Sequence, residues 1–312
     1  MPKILVTEGM HENGPNLLHQ AGYDVVYLKE RSQEELAEKI KDVDALFVRI
    51  MDITADMLKS APNLKMISKH GVGYDNIDVE AAKKLGIVVT LTPDANGLAV
   101  AEHAFSLMMS LAKNIAHISN SYKTTGFECR NKIIGLELTG KTLGIIGCGR
   151  IGKRVAKMGF GGFGMKVLVY DPYITQVPEG CFQVDKVEEL FAQSDFVTLH
   201  APLTDETKHM INASTLAMMK PTAIFVNCAR GPMVDEAALV EALKAGKIAG
   251  AGLDVTSVEP IPADHPLFSL DNAIITPHSA PSTKETSANV SRIGGENLIA
   301  FFSGKEPVGR LV

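Results

Sequence analysis

The sequence predicts an α/β protein built from two doubly wound parallel-sheet domains. Three observations carry that expectation. Short β-rich apolar runs alternate with helix-period segments along the whole chain. The runs are apolar at nearly every position, as strands covered on both faces must be. The chain's 312 residues exceed one ordinary core and suit two.

In the first block the candidate strands are 3–7, 25–28, 45–48, 66–69 and 88–90. Helical patterns over 13–21 and 32–40 lie between them, the second opened by Ser32 and Glu35 at the spacing of a capping box. This block has no glycine-rich phosphate loop. An amphipathic stretch over 100–123, unbroken by Pro or Gly, reads as one long helix connecting two lobes. A second block opens at Lys141, with candidate strands 142–146, 166–170, 196–199, 223–227, 250–253 and 273–276. Residues 283–302 read as a closing helix able to pack back on the first lobe.

Composition narrows the function classes. Hydrophobic residues make up 46% and charged residues 21%, a globular balance. A net charge of −5 provides no basic footprint for nucleic acid or a membrane surface, so neither partner is expected. An anionic substrate must therefore meet a local cationic pocket. Cys129, Cys148, Cys181 and Cys228 are scattered, so free thiols are expected rather than a disulfide framework or a metal site. Met1 leads straight into the apolar run Ile4-Leu5-Val6, with no signal-peptide pattern, and no apolar run spans a bilayer. A cytoplasmic protein is the expectation.

The sharpest motif is Gly147-Cys148-Gly149-Arg150-Ile151-Gly152. A G-x-G-x-x-G pattern alone is weak, but here it follows a candidate strand and opens a helical pattern. Gly147 permits the tight turn, Gly149 the approach of a pyrophosphate and Gly152 close helix–strand packing. The helix start adds unpaired N–H groups and a positive dipole end. Asp171 ends the next strand, 19 residues beyond Gly152, where a carboxylate accepts hydrogen bonds from the adenosine ribose. It would repel a 2′-phosphate, and Pro172-Tyr173 bring no Arg, so NAD is expected over NADP. Both blocks thus read as Rossmann-like, with the dinucleotide in the second.

Three further residues stand in loops after strands of the second block: Arg230, Glu259 and His278. Reduction of a 2-keto acid calls for these types. A planar guanidinium grips the carboxylate and polarises the carbonyl, an imidazole supplies the proton, and a carboxylate orients the imidazole. Taken singly, each has a plain structural reading: a surface ion pair for Arg230, a solvated loop for Glu259, a structural hydrogen bond for His278.

Together with Gly71-Val72-Gly73-Tyr74-Asp75-Asn76-Ile77-Asp78, Ala101-Glu102-His103, His200-Ala201-Pro202-Leu203-Thr204 and Asn227-Cys228-Ala229-Arg230-Gly231, these motifs resemble the D-isomer-specific 2-hydroxyacid dehydrogenase family. The likeness runs over nearly the whole chain and is nearest the phosphoglycerate dehydrogenase and hydroxypyruvate reductase branch. No C-terminal regulatory extension is expected. The resemblance implies Arg230, Glu259 and His278 as the catalytic set. It implies cofactor contacts at Gly147, Gly149, Arg150, Ile151, Gly152, Asp171, Pro202, Cys228, Ala229, Arg230, Asp254 and His278, with Val100 beside the nicotinamide. It also implies that the Val72 and Gly73 amides hold the substrate carboxylate, a role two adjacent amides can fill as an anion-binding nest. The domains it implies are 1–98 plus 283–312 for substrate and 99–282 for NAD, with the active site in the cleft between them. A homodimer joined through the long helix and the following arm is implied too.

The chain departs from the family pattern at three places. It has no Trp, and Phe127 stands where the arm often carries one. Gly159-Phe160-Gly161-Gly162-Phe163-Gly164 is rich enough in glycine to shorten the helix before it. Ser279-Ala280-Pro281 follows His278 where a Gly is common. Lys69 and His70 flank the proposed nest; a second anionic group of the substrate and a solvated strand-end pair are equal readings. The function expected is hydride transfer between NAD(H) and a small D-2-hydroxy or 2-keto acid. An NAD-sensing, corepressor-like binding protein is the alternative.

Overall fold

Most of the apolar runs become strands buried on both faces; the sheet-edge runs at 24–27 and 273–275 are only partly buried. The computed structural model describes residues 1–312 and divides into two units, Met1–Asn96 with Ser282–Val312, and Gly97–Pro281.

In the first unit, β1 (Lys3–Val6), β2 (Asp24–Tyr27), β3 (Ala45–Val48), β4 (Met66–Lys69) and β5 (Val88–Thr90) form one parallel sheet ordered β2-β1-β3-β4-β5. One face packs Leu5, Leu46, Val48 and Ile67 against Leu36, Leu58 and Ala82 of α2 (Gln33–Lys39), α3 (Ala55–Lys59) and α4 (Val79–Lys84). The other packs Ile4, Val6, Phe47 and Met66 against Leu18 and Leu298 of α1 (Asn13–Gln20) and α11 (Lys284–Phe302). The last helix is tied down by polar contacts as well. The Gly14 amide donates to Ser291 Oγ at 3.0 Å, and Ser68 Oγ donates to the Gly294 carbonyl at 2.9 Å.

The expected capping box at Ser32 is half formed. Ser32 Oγ accepts the Glu35 amide at 3.1 Å. The Glu35 carboxylate accepts instead from the amides of Lys29, Glu30 and Arg31 and from Lys39 Nζ. The Lys29 amide above all, then Lys39 and Glu30, hold its carboxyl down at about 2. Three loop amides outnumber the single one a capping box offers.

In the second unit, β6 (Thr142–Ile146), β7 (Lys166–Tyr170), β8 (Cys181–Gln183), β9 (Phe196–Leu199), β10 (Ile224–Asn227), β11 (Gly250–Leu253) and β12 (Ala273–Ile275) form a parallel sheet ordered β12-β11-β10-β9-β6-β7-β8. Only β8 has no counterpart in the sequence reading. Its three residues sit at the sheet edge, Phe182 and Gln183 exposed, so they show no buried pattern. α8 (Val187–Gln193), α9 (Ala213–Met218) and α10 (Glu236–Lys244) contribute to the core on one face. α5 (Gly97–Ala112) and α7 (Arg150–Lys157) contribute to the core on the other.

Two helix expectations are corrected. The stretch over 100–123 is not one connector but α5 and the separate α6 (Ile115–Thr125). Asn114 takes a left-handed φ of 52° and donates from Nδ2 to the Ile134 carbonyl at 3.1 Å. Asn adopts this region more readily than most residues, and apolar periodicity is blind to it. α5 buries Val100, Ala104, Phe105, Leu107 and Met108 in its own unit, whereas α6 buries nothing. The glycines after α7 do not shorten it either. The helix widens into a π turn over Met158–Gly162 before Gly164, at φ 61°, ends it. No helix is long and apolar enough to cross a membrane.

Candidate active site

The sheet of the second unit changes direction of growth at β6, which lies between β7 and β9. Ligands of open α/β sheets bind at the carboxyl ends of strands at such a switch point. Here the chain leaves β6 through the glycine turn. Gly147 has φ +87°, and its amide donates to the Tyr170 carbonyl at 2.9 Å. A Cβ on Gly152 would lie 2.1 Å from the Gly147 carbonyl oxygen, so only glycine lets α7 start this close to the turn. A Cβ on Gly149 would meet nothing within 4 Å. The turn is thus closed beneath and open above, and the first amides of α7 have no helical partner. That is a cradle for a phosphate, and the residues fit a dinucleotide.

Asp171 is the first residue after β7, beside this turn. Its Oδ2 accepts the Cys148 amide at 2.8 Å and its Oδ1 the Tyr173 amide at 2.9 Å. Burial above all pushes the Cys148 thiol up to about 11, so it lines the turn as a neutral group. Arg150 is exposed at the start of α7, Ile151 is half-buried behind it, and Pro202 is exposed in the loop after β9. Val100 is buried on α5 in the core.

The remaining residues of this unit gather at the carboxyl ends of three adjacent strands, β10, β11 and β12. After β10, the buried Asn227 braces the loop. Its Nδ2 donates to the Arg230 carbonyl and its Oδ1 accepts the Ala229 amide, both at 2.9 Å. Arg230 is half-buried, with Nη1 donating to the Ala229 carbonyl at 2.7 Å. Burial first, then Asp254, pushes the Cys228 thiol up, so it too remains neutral.

After β11, Asp254 is 1% exposed and accepts from every side. Its Oδ1 takes Thr276 Oγ1 at 2.6 Å and the Ser279 amide at 2.8 Å, and its Oδ2 takes the Ala280 amide at 2.9 Å. Burial would raise its carboxyl, but His103, Thr276 and the Ala280 and Ser279 amides outweigh it and hold the group below the usual carboxylate range. Five residues on, Glu259 Oε1 accepts the Thr256 amide at 3.2 Å and Oε2 meets His278 Nδ1 at 2.8 Å. His278 follows β12 in a left-handed conformation, φ 49°, its amide donating to the Asp254 carbonyl at 2.8 Å. Its Nε2 makes no bond within the protein. The fold therefore brings His278, Glu259 and Asp254 into one hydrogen-bonded group, with Arg230 on the next strand end.

Lys69, Val72 and Gly73 belong to the first unit. Lys69 is 5% exposed, and its Nζ donates to the Arg49 carbonyl and, at 2.8 Å, to Asn76 Oδ1. Burial first, then Arg49 and Lys69, hold the His70 imidazole down at about 4. Lys69 is thus withdrawn from solvent, while His70 is partly exposed with its Nε2 buried. Gly71 is anchored through its amide to Thr92 Oγ1 at 3.1 Å, and the next two amides, of Val72 and Gly73, donate to no protein group.

Sequence reasoning gave no role to His103 or Thr276. His103 Nε2 lies 3.0 Å from Thr276 Oγ1 and 3.3 Å from Asp254 Oδ1. The first of these contacts spans 173 residues of sequence, so no local spacing can signal it.

Known proteins are similar to this chain in sequence and fold. A family model described as D-isomer specific 2-hydroxyacid dehydrogenase, NAD binding domain, matches residues 105–280. A D-3-phosphoglycerate dehydrogenase of Methanocaldococcus jannaschii is 47% identical over 309 residues, 98% of this chain and 58% of that protein. The chain thus spans little more than half the length of that relative. A glyoxylate reductase of Pyrococcus furiosus is 43% identical over 98% of this chain and 94% of its own length. Among solved structures, the TT0316 protein of Thermus thermophilus is 36% identical with a TM-score of 0.90, covering 99% of this chain and all of that one. On the family match and the near full-length likeness, the chain belongs to the D-isomer specific 2-hydroxyacid dehydrogenase family, with its NAD-binding domain in the second unit.

Proposed function

We propose that this protein interconverts a small D-2-hydroxy acid and its 2-keto acid with NAD(H), using His278 as acid and base. The observation that carries this reading is the pair His278 Nδ1 and Glu259 Oε2 at 2.8 Å, which leaves Nε2 without a bond inside the protein. NADH, when bound along the 147–152 turn, supplies a hydride to the keto carbon. His278 Nε2 gives its proton to the oxygen that gains charge, and Glu259 holds the imidazole in place and steadies it while it is cationic. Arg230 grips the substrate carboxylate and polarises the carbonyl. On the first unit, the adjacent Val72 and Gly73 amides are by themselves an anion-binding nest for a carboxylate. In the reverse direction His278 takes the hydroxyl proton. The Asp171 carboxylate, fixed by two amides, favours the unphosphorylated ribose of NAD.

Relatives named for glyoxylate and for D-3-phosphoglycerate speak for a short 2-keto acid as substrate. Lys69 is already engaged by Arg49 and Asn76, which speaks for an acid without a phosphate. The test is turnover of glyoxylate, hydroxypyruvate and phosphohydroxypyruvate with NADH and with NADPH, for the protein and for His278→Ala. Reduction with NADH is expected, lowered roughly a hundredfold or more in the variant while NADH still binds. Near-normal turnover by His278→Ala would remove His278 from the chemistry. NADH binding with no keto acid reduced would leave the NAD-sensing reading.

We also propose a homodimer. α6 and the segment after it expose Ile115, Tyr122, Phe127 and Ile134, the last two at 68% and 82%, an apolar set that needs covering. Light scattering is expected to return twice the chain mass. The four free thiols fit a reducing compartment, and the cytoplasm is the location we propose.

A further inference from the structure

The loop that carries His278 is held in an unfavourable conformation. A non-glycine residue in the left-handed region is strained by about 1 kcal/mol or more and persists only where its surroundings dictate it. The restraint is Asp254. Its carbonyl takes the His278 amide, and its buried carboxylate takes Thr276 Oγ1, the Ser279 amide and the Ala280 amide. Residues 276–280 are thus wrapped around one anion. The loop and the anion both need a tie to something rigid, and α5 provides it. The Thr276 hydroxyl donates to Asp254, so its oxygen accepts from His103 Nε2–H, and that same N–H also faces Asp254 Oδ1. His103 follows Ala101 and precedes Ala104 and Phe105, all buried, on a helix packed into the core of this unit.

We propose that His103 and Thr276 are positioning residues that aim His278, by locking the Asp254-centred loop 276–280 to α5. The proposal rests on His278 being the acid and base. Both act through Asp254 and the loop that carries His278. The chemistry needs the imidazole aligned to a fraction of an ångström, and a misplacement of about 1 Å costs on the order of a hundredfold in rate.

Three variants test it: His103→Ala, His103→Gln, whose amide N–H reaches the place of the imidazole Nε2–H, and the isosteric Thr276→Val. In the protein without cofactor, hydrogen exchange of residues 276–281 is expected to quicken in His103→Ala and Thr276→Val and to return towards normal in His103→Gln. Exchange in β6 and α7 is expected to stay unchanged. In turnover, kcat falls on the order of 10- to 100-fold in His103→Ala and recovers most of that in His103→Gln. The Kd for NADH holds within about twofold if the loss lies in aim rather than in cofactor binding. Unchanged exchange of 276–281 in His103→Ala overturns the proposal, as does a kcat loss that His103→Gln leaves uncorrected. The exchange arm stands even if wild-type protein reduces no keto acid, so failure of the functional reading and failure of this one are told apart. If His103→Ala does not fold, Thr276→Val reads the same contact from its other side.

Discussion

The two units answer one topological situation in opposite ways. Each is a doubly wound parallel sheet with a switch point, at β1 and β3 in the first unit and at β6 and β9 in the second. At the carboxyl ends of such strands, backbone amides converge on a crevice. In the second unit the loop after β6 is glycine, and above Gly149 a side chain would meet nothing. In the first unit the loop after β1 brings Glu8 into the same place. Its carboxylate accepts the amides of Arg49 at 2.9 Å, Ile50 at 2.6 Å and Met51 at 2.5 Å, and the Thr7 hydroxyl as well. The fold class makes an anion site at both switch points. One residue decides whether the anion is internal or must come from a ligand.

The strongest way to break this contrast is to give the second unit what the first already has. Gly149→Glu meets no steric obstacle, so the melting temperature is expected to hold. A carboxylate would then sit where we propose the cofactor's phosphates. Like charges in contact cost several kcal/mol, so NADH affinity should fall on the order of a hundredfold or more by fluorescence titration. Undiminished binding would show that the phosphates lie elsewhere.

The converse change is smaller. Glu8→Ala leaves three amides without a charged acceptor, and a hydrogen bond to a charged group is worth about 1.5–3 kcal/mol. We expect a loss of about 3 kcal/mol in the unfolding free energy, read in urea, and roughly half of it in Glu8→Gln, which keeps an acceptor but not the charge. A loss below about 1 kcal/mol would mean that water replaces the carboxylate without penalty.

The smallest effect compares two histidines in matching positions. His70 is the first residue after β4 and His200 the first after β9, and each buries one ring nitrogen without a partner. Burial above all holds His70 down at about 4 and His200 at about 3. Both folded values lie below the unfolded value of about 6.5, so between them the unfolded chain binds the extra proton. Stability is therefore full above about pH 6.5 and falls as the pH drops through this window, by about 1.4 kcal/mol per pH unit for each residue. His200→Gln is expected to flatten that slope when urea unfolding at pH 7 and pH 5 is compared. An unaltered slope would assign the acid sensitivity to other groups.

The strand framework was legible in the sequence wherever a strand carries an apolar β-branched run, which includes the partly buried edge strands β2 and β12. β8 was not, because an edge strand of three residues with two exposed side chains carries no burial pattern. The break at Asn114 was hidden because apolar periodicity continues through it, while the backbone reverses its handedness at one residue. The turn at Gly147 and the carboxylate at Asp171 were legible because the phosphate and ribose contacts we propose for them fall within one βαβ unit at fixed spacing. His278, Glu259 and Arg230 could be nominated from their chemistry, but each alone also had a plain structural reading, the commoner one for Arg230 and Glu259.

What the sequence determined by itself is the alternation that builds two parallel sheets, the glycine turn that opens one of them and the family. These are local properties, set by side-chain burial and backbone freedom over a few residues. Tertiary structure alone decided that Glu259 meets His278 Nδ1, that Glu8 closes its own crevice and that His103 reaches Asp254 and Thr276. Each is a contact between strand ends or helices far apart in the chain, and hydrogen-bond geometry across such distances is set by how the sheet stacks its strands.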